Sequence, residues 1–310
     1  MSSSLAPYRG RFAPTPTGPL HFGSLVTALA SFLDARHHQG VWLIRIEDID
    51  PQREQPGAAQ NILTTLAAHG MTSDEPVRFQ SRQNALYDAR LAELERDHHT
   101  YPCPCSRKQL QAQGGRHLGI CGGARLPTGS PLDPRPSTYS PHATVALRFR
   151  ITDTVFSWKD LVCGATRFTL NPEIDDFVLK RREGFYAYQL AVVADDIDQG
   201  ITHIVRGQDL LDNTPMQMAL YLKLGAALPS YAHTPLVVSA SGQKLSKQNR
   251  APAIEAHRAR QNLSAALTAL GHPVPAELNN ASITAILQWA AEHWELNRLS
   301  HLPQITLPVD

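Results

Sequence analysis

The sequence predicts an α/β fold built on a doubly wound parallel sheet of the Rossmann type. A short strand over Tyr8–Ala13 is followed by a loop, a helix and a second strand over Val41–Ile46, and this order forms a βαβ unit. The second strand is mostly apolar, which is typical of a parallel sheet covered on both faces. In folds of this class, ligands bind at the carboxyl ends of the strands.

The helices of the first half follow from the spacing of apolar residues. The first helix is predicted to begin at Ser24, a good N-cap residue, and to run up to Gly40. Its apolar residues recur at helical spacing, namely Leu25, Leu29, Phe32 and Leu33. Further helices are predicted over Ala58–Ala68 and Ala85–Glu95.

A long stretch without this alternation interrupts the fold between about residues 97 and 175. Tyr101–Cys121 has little periodicity, and residues 127–142 contain five prolines, so both are predicted to be irregular. The short strands predicted in this stretch are Ala143–Arg150, Val155–Trp158 and Ala165–Leu170.

The α/β pattern then resumes and supports a division of the chain into four segments. The predicted elements are a helix near Tyr188–Asp195, a strand over His203–Arg206, a helix from Thr214 with Pro215 at its first position, and a strand over Leu236–Val238. We expect residues 1–96 and 176–250 to form the two halves of a catalytic domain, 97–175 to form an insertion, and 251–310 to form a short helical C-terminal region.

The composition is that of an ordinary globular protein and excludes several classes. Its 29 Lys+Arg and 28 Asp+Glu leave a net charge of +1, which argues against a polybasic protein that holds nucleic acid by bulk charge. No apolar run approaches the roughly 18 residues that span a bilayer. The N-terminus also lacks the basic and apolar segments of a secretory signal. We therefore expect a cytoplasmic protein with reduced cysteines and no membrane partner.

The loop from Arg11 to Ser24 leaves the first strand and enters the first helix. Backbone N–H groups and the helix dipole at such a junction suit an anion such as phosphate. Gly23 permits the close approach of a nucleotide ring, and His21 can donate a hydrogen bond to phosphate. A proline-rich surface turn with a chance histidine is the alternative interpretation.

A second candidate loop, Ser241–Gln248, contains Lys244 and Lys247, two of only six lysines in the chain. Two ammonium groups on a loop can close over a triphosphate and neutralise the charge that builds up as pyrophosphate leaves. A solvated basic turn is the commoner meaning of two lysines at this spacing.

Taken together, His21-Phe22-Gly23-Ser24 and Lys244-Leu245-Ser246-Lys247-Gln248 resemble the two signature motifs of class I aminoacyl-tRNA synthetases. Four other segments, in the same order, resemble the catalytic domain of glutamyl-tRNA synthetases. They are Arg11–Gly18, Arg45–Asp50, Tyr188–Asp196 and Ile204–Gly207. The resemblance covers roughly residues 8–250 and implies a class I synthetase catalytic domain.

The resemblance implies a role for each matching residue. The residues implied in glutamate binding are Arg11, Phe12, Ala13, Pro14, Thr15, Glu47, Tyr188 and Arg206. Those implied in ATP binding are His21, Phe22, Gly23, Ser24 and Lys247, and those implied in catalysis are His21, Gly23, Lys244 and Lys247. Taken singly, Arg11 would also fit a surface ion pair, Glu47 a solvated strand end and Tyr188 a core position. Asp195 and Asp196 could cap a helix end and are left without an assigned role.

Three of the four cysteines fall within nineteen residues. Three thiolates and one imidazole make a tetrahedral structural zinc site, which predicts Cys103, Cys105, His117 and Cys121 as ligands of one ion. His98 and His99 are rival fourth ligands, and a reduced accidental cluster is the alternative. Cys163 lies outside the cluster and is expected to be a small buried hydrophobe.

The zinc cluster, Ser24 at the fourth motif position and the shortness of the chain indicate a subgroup of this family. Sixty-three residues follow Lys247, fewer than the anticodon-binding region of a full glutamyl-tRNA synthetase needs. The subgroup activates L-glutamate with ATP and Mg, without tRNA, and transfers it to the queuosine base at the wobble position of tRNA(Asp). The resemblance thus implies ATP, L-glutamate and tRNA(Asp) as partners, and we expect a monomer.

Three other functions remain open from the sequence. The nearest is a compact glutamyl-tRNA synthetase that charges the 3′ end of tRNA(Glu). The second is a small-molecule nucleotidyltransferase with the same His-x-Gly signature. The third is a zinc-stabilised RNA-binding module without catalytic activity.

Overall fold

The structure is a computed structural model that describes residues 7–112, 117, 145–172, 174–238, 252–302 and 304–306. Cys121, the proline-rich stretch 127–142 and the loop with Lys244 and Lys247 lie outside the described residues.

The described chain alternates strands and helices in both halves. Its strands are β1 Arg9–Phe12, β2 Val41–Ile46, β3 Arg78–Phe79, β4 Thr100–Cys103, β5 Ala146–Phe149, β6 Val155–Asp160, β7 Gly164–Thr169, β8 Val178–Lys180, β9 His203–Gly207, β10 Ser230–Thr234, β11 Val237–Val238 and β12 Ile305–Thr306. Its α-helices are α1 Phe22–His37, α2 Ala58–Ala68, α3 Asn84–Arg96, α4 Arg107–Gln111, α5 Tyr188–Asp198, α6 Thr214–Lys223, α7 Ala259–Ala269 and α8 Ile283–Glu292.

The parallel sheet predicted from the βαβ pattern is confirmed. Strands β1, β2 and β3 pair in parallel in that order, with Arg11 opposite Leu43. Strands β9 and β10 also pair in parallel, and β9 lies beside β1, where the Thr202 N–H donates to the Arg9 carbonyl at 3.0 Å. The strand order therefore reverses between β1 and β9, which opens a crevice at their carboxyl ends.

The first helix, α1, begins two residues earlier than the apolar spacing indicates. His21, and not Ser24, is its N-cap, because the His21 ring accepts a hydrogen bond from the Ser24 N–H. A ring nitrogen thus satisfies one of the free N–H groups at the helix start, a task that a short hydroxyl side chain usually performs. The prediction of Ser24 as N-cap is wrong, because the His21 ring is long enough to accept the Ser24 N–H and caps the helix three residues earlier.

The segment between the two halves of the sheet is antiparallel. Strands β4, β5 and β8 form one small sheet, and β6 pairs with β7 as a hairpin from Val155–Thr169 to Asp160–Gly164. The strands predicted at β5, β6 and β7 are confirmed. The strand β4 and the short helix α4 lie where irregular chain was expected, since each is too short to produce a periodic pattern.

The C-terminal helices complete the main core and do not stand apart from it. Residues of α7 and α8 pack with α1 in one apolar cluster. Buried Asp34 of α1 accepts hydrogen bonds from the Tyr8 hydroxyl at 2.6 Å and the Trp294 indole N–H at 3.0 Å. Among the described residues, no helix has the length and apolar character needed to cross a membrane.

Candidate active site

A cavity of about 470 Å³ opens where β1, β2 and β9 end. It lies at the reversal of strand order, the usual ligand position in doubly wound sheets. The residues of the predicted site that line it are Arg11, Phe12, Ala13, Pro14, Thr15, His21, Gly23, Ser24, Glu47, Tyr188 and Arg206. Phe22 is absent from this lining, because its side chain packs against the main core. The fold therefore brings together residues that are separated by up to 195 positions in the sequence.

Arg11 is the last but one residue of β1 and is buried, so the surface ion pair considered from sequence is excluded. Its Nε and Nη2 donate to the Asp196 carboxylate at 3.1 and 3.4 Å. Arg45 Nη1 donates to the same carboxylate at 2.7 Å. Two guanidinium groups thus share one buried carboxylate, which holds Arg11 in place at the cavity wall.

Glu47 follows β2 directly and lies buried at the cavity wall. Among the described residues its Oε1 has no hydrogen-bond partner, and Arg45 Nη2 lies 3.7 Å from it. Burial raises the pKa of Glu47 to about 7, although Arg45 and Arg11 act in the opposite direction. A buried acceptor without a donor is costly, and a cationic ligand group would remove that cost.

Arg206 of β9 is 4 % exposed, and its hydrogen-bond partners differ from the carboxylate that binds Arg11. Its Nε donates to His233 Nε2 at 3.0 Å, and its Nη1 donates to the Gln217 side-chain oxygen at 2.7 Å. Its Nη2 donates to the Leu210 carbonyl and to the Thr214 hydroxyl at 3.3 and 2.8 Å. These four acceptors are uncharged, so the buried positive charge faces the cavity without a directly bonded carboxylate among the described residues. A buried charge of this kind favours an anionic ligand.

Tyr188 opens α5 and is half-buried at the cavity wall. Burial raises the pKa of its phenol, helped by nearby Glu47. The hydroxyl therefore keeps its proton and is available as a hydrogen-bond donor. Thr15 lies on the loop from Arg11 to Ser24 and also lines the cavity.

The first loop is packed tightly around the histidine ring. His21 Nδ1 accepts from the Ser24 N–H at 3.2 Å, and Nε2 lies 3.0 Å from the Ser24 hydroxyl. A Cβ on Gly23 would lie 3.2 Å from the His21 ring and 3.5 Å from the Val237 side chain. Glycine at this position therefore lets the ring lie close to the helix start.

One flank of the loop that carries Lys244 and Lys247 lines this cavity, and the other flank contacts the first loop. Val237 precedes the loop and lines the cavity, while Ala253 follows it and forms a β-bridge with His21. The Ile254 N–H donates to the Leu20 carbonyl at 3.0 Å. The described ends of the segment are thus held next to the first loop.

Asp195 and Asp196, to which no role was assigned from the sequence, are both buried in α5. Asp195 accepts hydrogen bonds from the Tyr87 hydroxyl at 2.8 Å and the Gln80 amide at 2.9 Å. Both acids and Arg45 interrupt apolar runs, in α5 and β2 respectively. A charge inside an apolar run requires a buried partner, and this signal was available in the sequence.

Three of the four predicted zinc ligands converge. The ligand atoms of Cys103, Cys105 and His117 all lie within 4.8 Å of one another. Cys103 Sγ is 3.4 Å from His117 Nε2, close to the roughly 3.6 Å that separates sulfur and nitrogen ligands of tetrahedral zinc. The Tyr101 hydroxyl lies 3.3 Å from His117 Nδ1, the second contact that usually orients a metal-bound histidine.

The rival ligands and the fourth cysteine have other positions. In the described part of the chain, the group has three members, and His98 and His99 are not among them. Cys163 is exposed in the turn between β6 and β7, so the prediction of a buried hydrophobe is wrong. Apolar periodicity cannot distinguish the last residue of a strand from a turn residue.

Comparison with known proteins identifies relatives along almost the whole chain. The family model described as the catalytic domain of class I tRNA synthetases (E and Q) matches residues 8–271. A relative from Pseudomonas aeruginosa (strain LESB58), named glutamyl-Q tRNA(Asp) synthetase, is 47% identical over 294 residues, which are 94% of this chain and 95% of the relative. A relative of the same name from Neisseria meningitidis serogroup B (strain ATCC BAA-335 / MC58) is 46% identical over 94% of this chain and 97% of its own length.

Solved structures show the same fold at lower identity. The crystal structure of the glutamate-tRNA synthetase from Elizabethkingia anophelis superimposes with a TM-score of 0.76 and 24% identity. The match covers 98% of this chain and 68% of that one. This likeness supports the catalytic-domain fold described above.

Proposed function

The chain belongs to the glutamyl-Q tRNA(Asp) synthetase family of class I tRNA synthetases, and on this premise we propose its reaction. It activates L-glutamate with ATP, without tRNA. It then transfers the glutamyl group to the queuosine base at the wobble position of tRNA(Asp).

One observation carries the choice of amino acid. The same cavity contains Glu47, a buried carboxylate with an unbonded oxygen, and Arg206, a buried guanidinium with only uncharged partners among the described residues. An amino acid with a second carboxylate complements both, since its ammonium group fits Glu47 and its side chain fits Arg206. In this arrangement Arg11 and Tyr188 contribute further donors to the side-chain carboxylate, and Thr15 lies close to the amino acid.

Activation needs no general base. The α-carboxylate of glutamate is already ionised, and one of its oxygens attacks the α-phosphorus of ATP as the bond to pyrophosphate breaks. Catalysis then consists of holding the two substrates in line and stabilising the charge on the phosphates. His21 and the helix start at Gly23 and Ser24 suit the phosphates, and we propose that Lys244 and Lys247 neutralise the leaving pyrophosphate. Mg travels with ATP and supplies further neutralisation.

Transfer completes the reaction. A hydroxyl of the queuosine cyclopentene ring attacks the carbonyl carbon of glutamyl-adenylate, an ester bond forms, and AMP leaves as the hydroxyl loses its proton. Both tRNA and ATP are cytoplasmic substrates, so we place the enzyme in the cytoplasm. We propose that it acts as a monomer whose catalytic halves, residues 1–96 and 176–250, flank the insertion 97–175 and precede the helical region 251–310.

The decisive experiment uses labelled glutamate, ATP and tRNA(Asp) from cells with and without queuosine. We expect label on tRNA(Asp) only when queuosine is present, and ribonuclease T1 digestion should locate the label in the anticodon fragment. Label at the 3′ end, or on tRNA(Glu) alone, would support a compact glutamyl-tRNA synthetase instead.

We also propose that Cys103, Cys105, His117 and Cys121 hold one structural zinc ion. The purified protein is expected to contain about one zinc per chain, and a Cys103→Ser/Cys105→Ser variant is expected to lose it, because zinc binding requires the thiolates. Metal analysis by mass spectrometry measures both. Cys163→Ser is the matched control, since Cys163 is exposed and outside the cluster. Equal zinc content in the double variant and the control would exclude this site.

The raised pKa of Glu47 predicts a pH dependence for glutamate binding. Above about pH 7 the carboxylate is ionised and ready for the ammonium group, whereas below it a bound proton must first leave. The KM for glutamate in ATP–pyrophosphate exchange should therefore rise by up to about tenfold for each pH unit below the pKa. In a Glu47→Gln variant, KM should be high and nearly independent of pH. A wild-type KM that stays constant from about pH 5.5 to 8 would contradict this role for Glu47.

A further inference from the structure

One of the four direct partners of Arg206, His233, is itself held by an acid from outside the two nucleotide-binding halves. Asp160 ends β6 in the inserted hairpin, 46 residues before Arg206. It is buried and lies next to His233 of β10. The hairpin is held there because the Leu161 N–H donates to the Tyr231 carbonyl at 2.8 Å. Asp160, His233 and Arg206 therefore form a continuous buried chain that ends at the substrate cavity.

The contacts of Asp160 determine which of its oxygens faces the histidine. Oδ1 accepts three backbone N–H groups, from Val162 at 3.0 Å, Cys163 at 2.9 Å and His233 at 3.1 Å. Oδ2 lies 2.5 Å from His233 Nδ1. Burial by itself would raise the pKa of Asp160, but these hydrogen bonds lower it to about 2. The carboxylate is therefore ionised and can only accept from the ring.

The other ring nitrogen must then be an acceptor. Arg206 Nε, which always carries hydrogen, lies 3.0 Å from His233 Nε2. The Thr214 hydroxyl also lies 3.2 Å from Nε2, and because it accepts from Arg206 Nη2 it can donate its own hydrogen to the ring. A neutral imidazole with its proton on Nδ1 therefore satisfies all three neighbours, whereas a proton on Nε2 would oppose the Arg206 N–H. Burial lowers the pKa of His233, as does the charge of Arg206, and the neutral ring fits this arrangement.

We propose that Asp160 and His233 are positioning residues for glutamate selection: Asp160 imposes the Nδ1–H tautomer of His233, and His233 Nε2 then fixes the Arg206 guanidinium toward the substrate carboxylate. The inference rests on the proposed function, in which Arg206 binds glutamate. It also gives the inserted β6–β7 hairpin a part in substrate binding.

Asp160→Asn is the sharpest test, since it preserves shape and reverses one hydrogen bond. The three backbone donors require the amide oxygen at the Oδ1 position, so the amide nitrogen faces His233 Nδ1. That nitrogen can only donate, which forces the ring proton onto Nε2 against Arg206. We expect the KM for glutamate to rise about 10-fold to 100-fold, the effect of losing a charged hydrogen bond. The KM for ATP should stay within about twofold, since under the proposed function Arg206 binds glutamate and the first loop binds the phosphates.

Nitrogen-15 NMR of labelled histidine gives a readout that general loss of stability would not produce. The wild-type protein should show His233 protonated on Nδ1, and the Asp160→Asn variant should show it protonated on Nε2. Asp153→Asn is the matched control, because Asp153 precedes the same hairpin, is 45% exposed and pairs with Lys223 at 2.7 Å. It should leave both KM values and the tautomer unchanged.

The outcomes separate this inference from the proposed function. A wild-type ring protonated on Nε2, or an Asp160→Asn variant that folds and keeps the wild-type KM for glutamate, would overturn the inference. If the variant does not fold, the wild-type tautomer still decides it. If the wild-type protein forms no glutamyl-adenylate, the proposed function fails, and the role of the pair in glutamate selection fails with it.

Discussion

Replacing Asp196 by asparagine is expected to lower the free energy of unfolding by about 3–5 kcal/mol, the usual cost of breaking a buried ion pair. Asp196 is 2 % exposed and accepts hydrogen bonds from both Arg11 and Arg45. Burial by itself would raise the pKa of Asp196, but the attraction of the two guanidinium groups holds it below its ordinary value. Without this carboxylate, two buried cations would repel each other with less compensation.

Asp198→Asn provides the matched control for that measurement. Asp198 lies on the same helix, α5, and its carboxylate is 2.6 Å from Arg78 Nη2, but it is 44% exposed. Exposed ion pairs contribute less than about 1 kcal/mol, so this variant should unfold almost as the wild type does. Urea denaturation followed by circular dichroism measures both changes. If both variants lost the same free energy of unfolding, the buried ion pairs of Asp196 would contribute no more than the exposed ion pair of Asp198.

Replacing Arg206 by glutamine is expected to lower kcat/KM for glutamate activation by about 30-fold to 5,000-fold. Removing one partner of a buried charge pair costs about 2–5 kcal/mol, and under the proposed function that partner is the substrate side chain. The loss should fall mainly on the KM for glutamate, since the interaction is present when glutamate first binds. ATP–pyrophosphate exchange measures this step without tRNA.

The control for Arg206→Gln is Arg260→Gln, because Arg260 is exposed on α7 and does not line the cavity. Its kinetic constants should equal those of the wild type. Thermal unfolding of both variants shows whether the Arg206 variant remains folded under assay conditions. A folded Arg206→Gln protein with an unchanged KM for glutamate would remove Arg206 from the glutamate site.

Local sequence was enough to predict the elements that carry the site. Apolar spacing placed α2 at its observed bounds, and the apolar run Val41–Ile46 coincides with β2. These predictions succeed because side-chain burial in a helix or strand depends on a period of a few residues, which the chain itself displays. The order of the motifs then indicated one cavity at the strand ends, and the described residues of the first loop do line it.

The partners of the charged residues could not be predicted in the same way. Nothing near Asp160 in the sequence indicates His233, 73 residues later, and nothing near Asp196 indicates Arg11 and Arg45. The roles assigned to Lys244 and Lys247 stay predictions, as does the ligand role of Cys121, since all three lie outside the described residues.

By itself, the sequence determined the fold class, the longer helices and strands, and the identity of the residues at the strand ends, because each of these depends on short-range pattern. The tertiary structure alone decided which charges meet, which of them remain unbalanced, and which oxygen or ring nitrogen faces which donor. Those outcomes depend on distances of about 3 Å between atoms from distant segments, and hydrogen bonds weaken steeply beyond that range. Arg206 shows the difference: its position at the end of a strand was predictable, but its uncharged surroundings became evident only in the packed molecule.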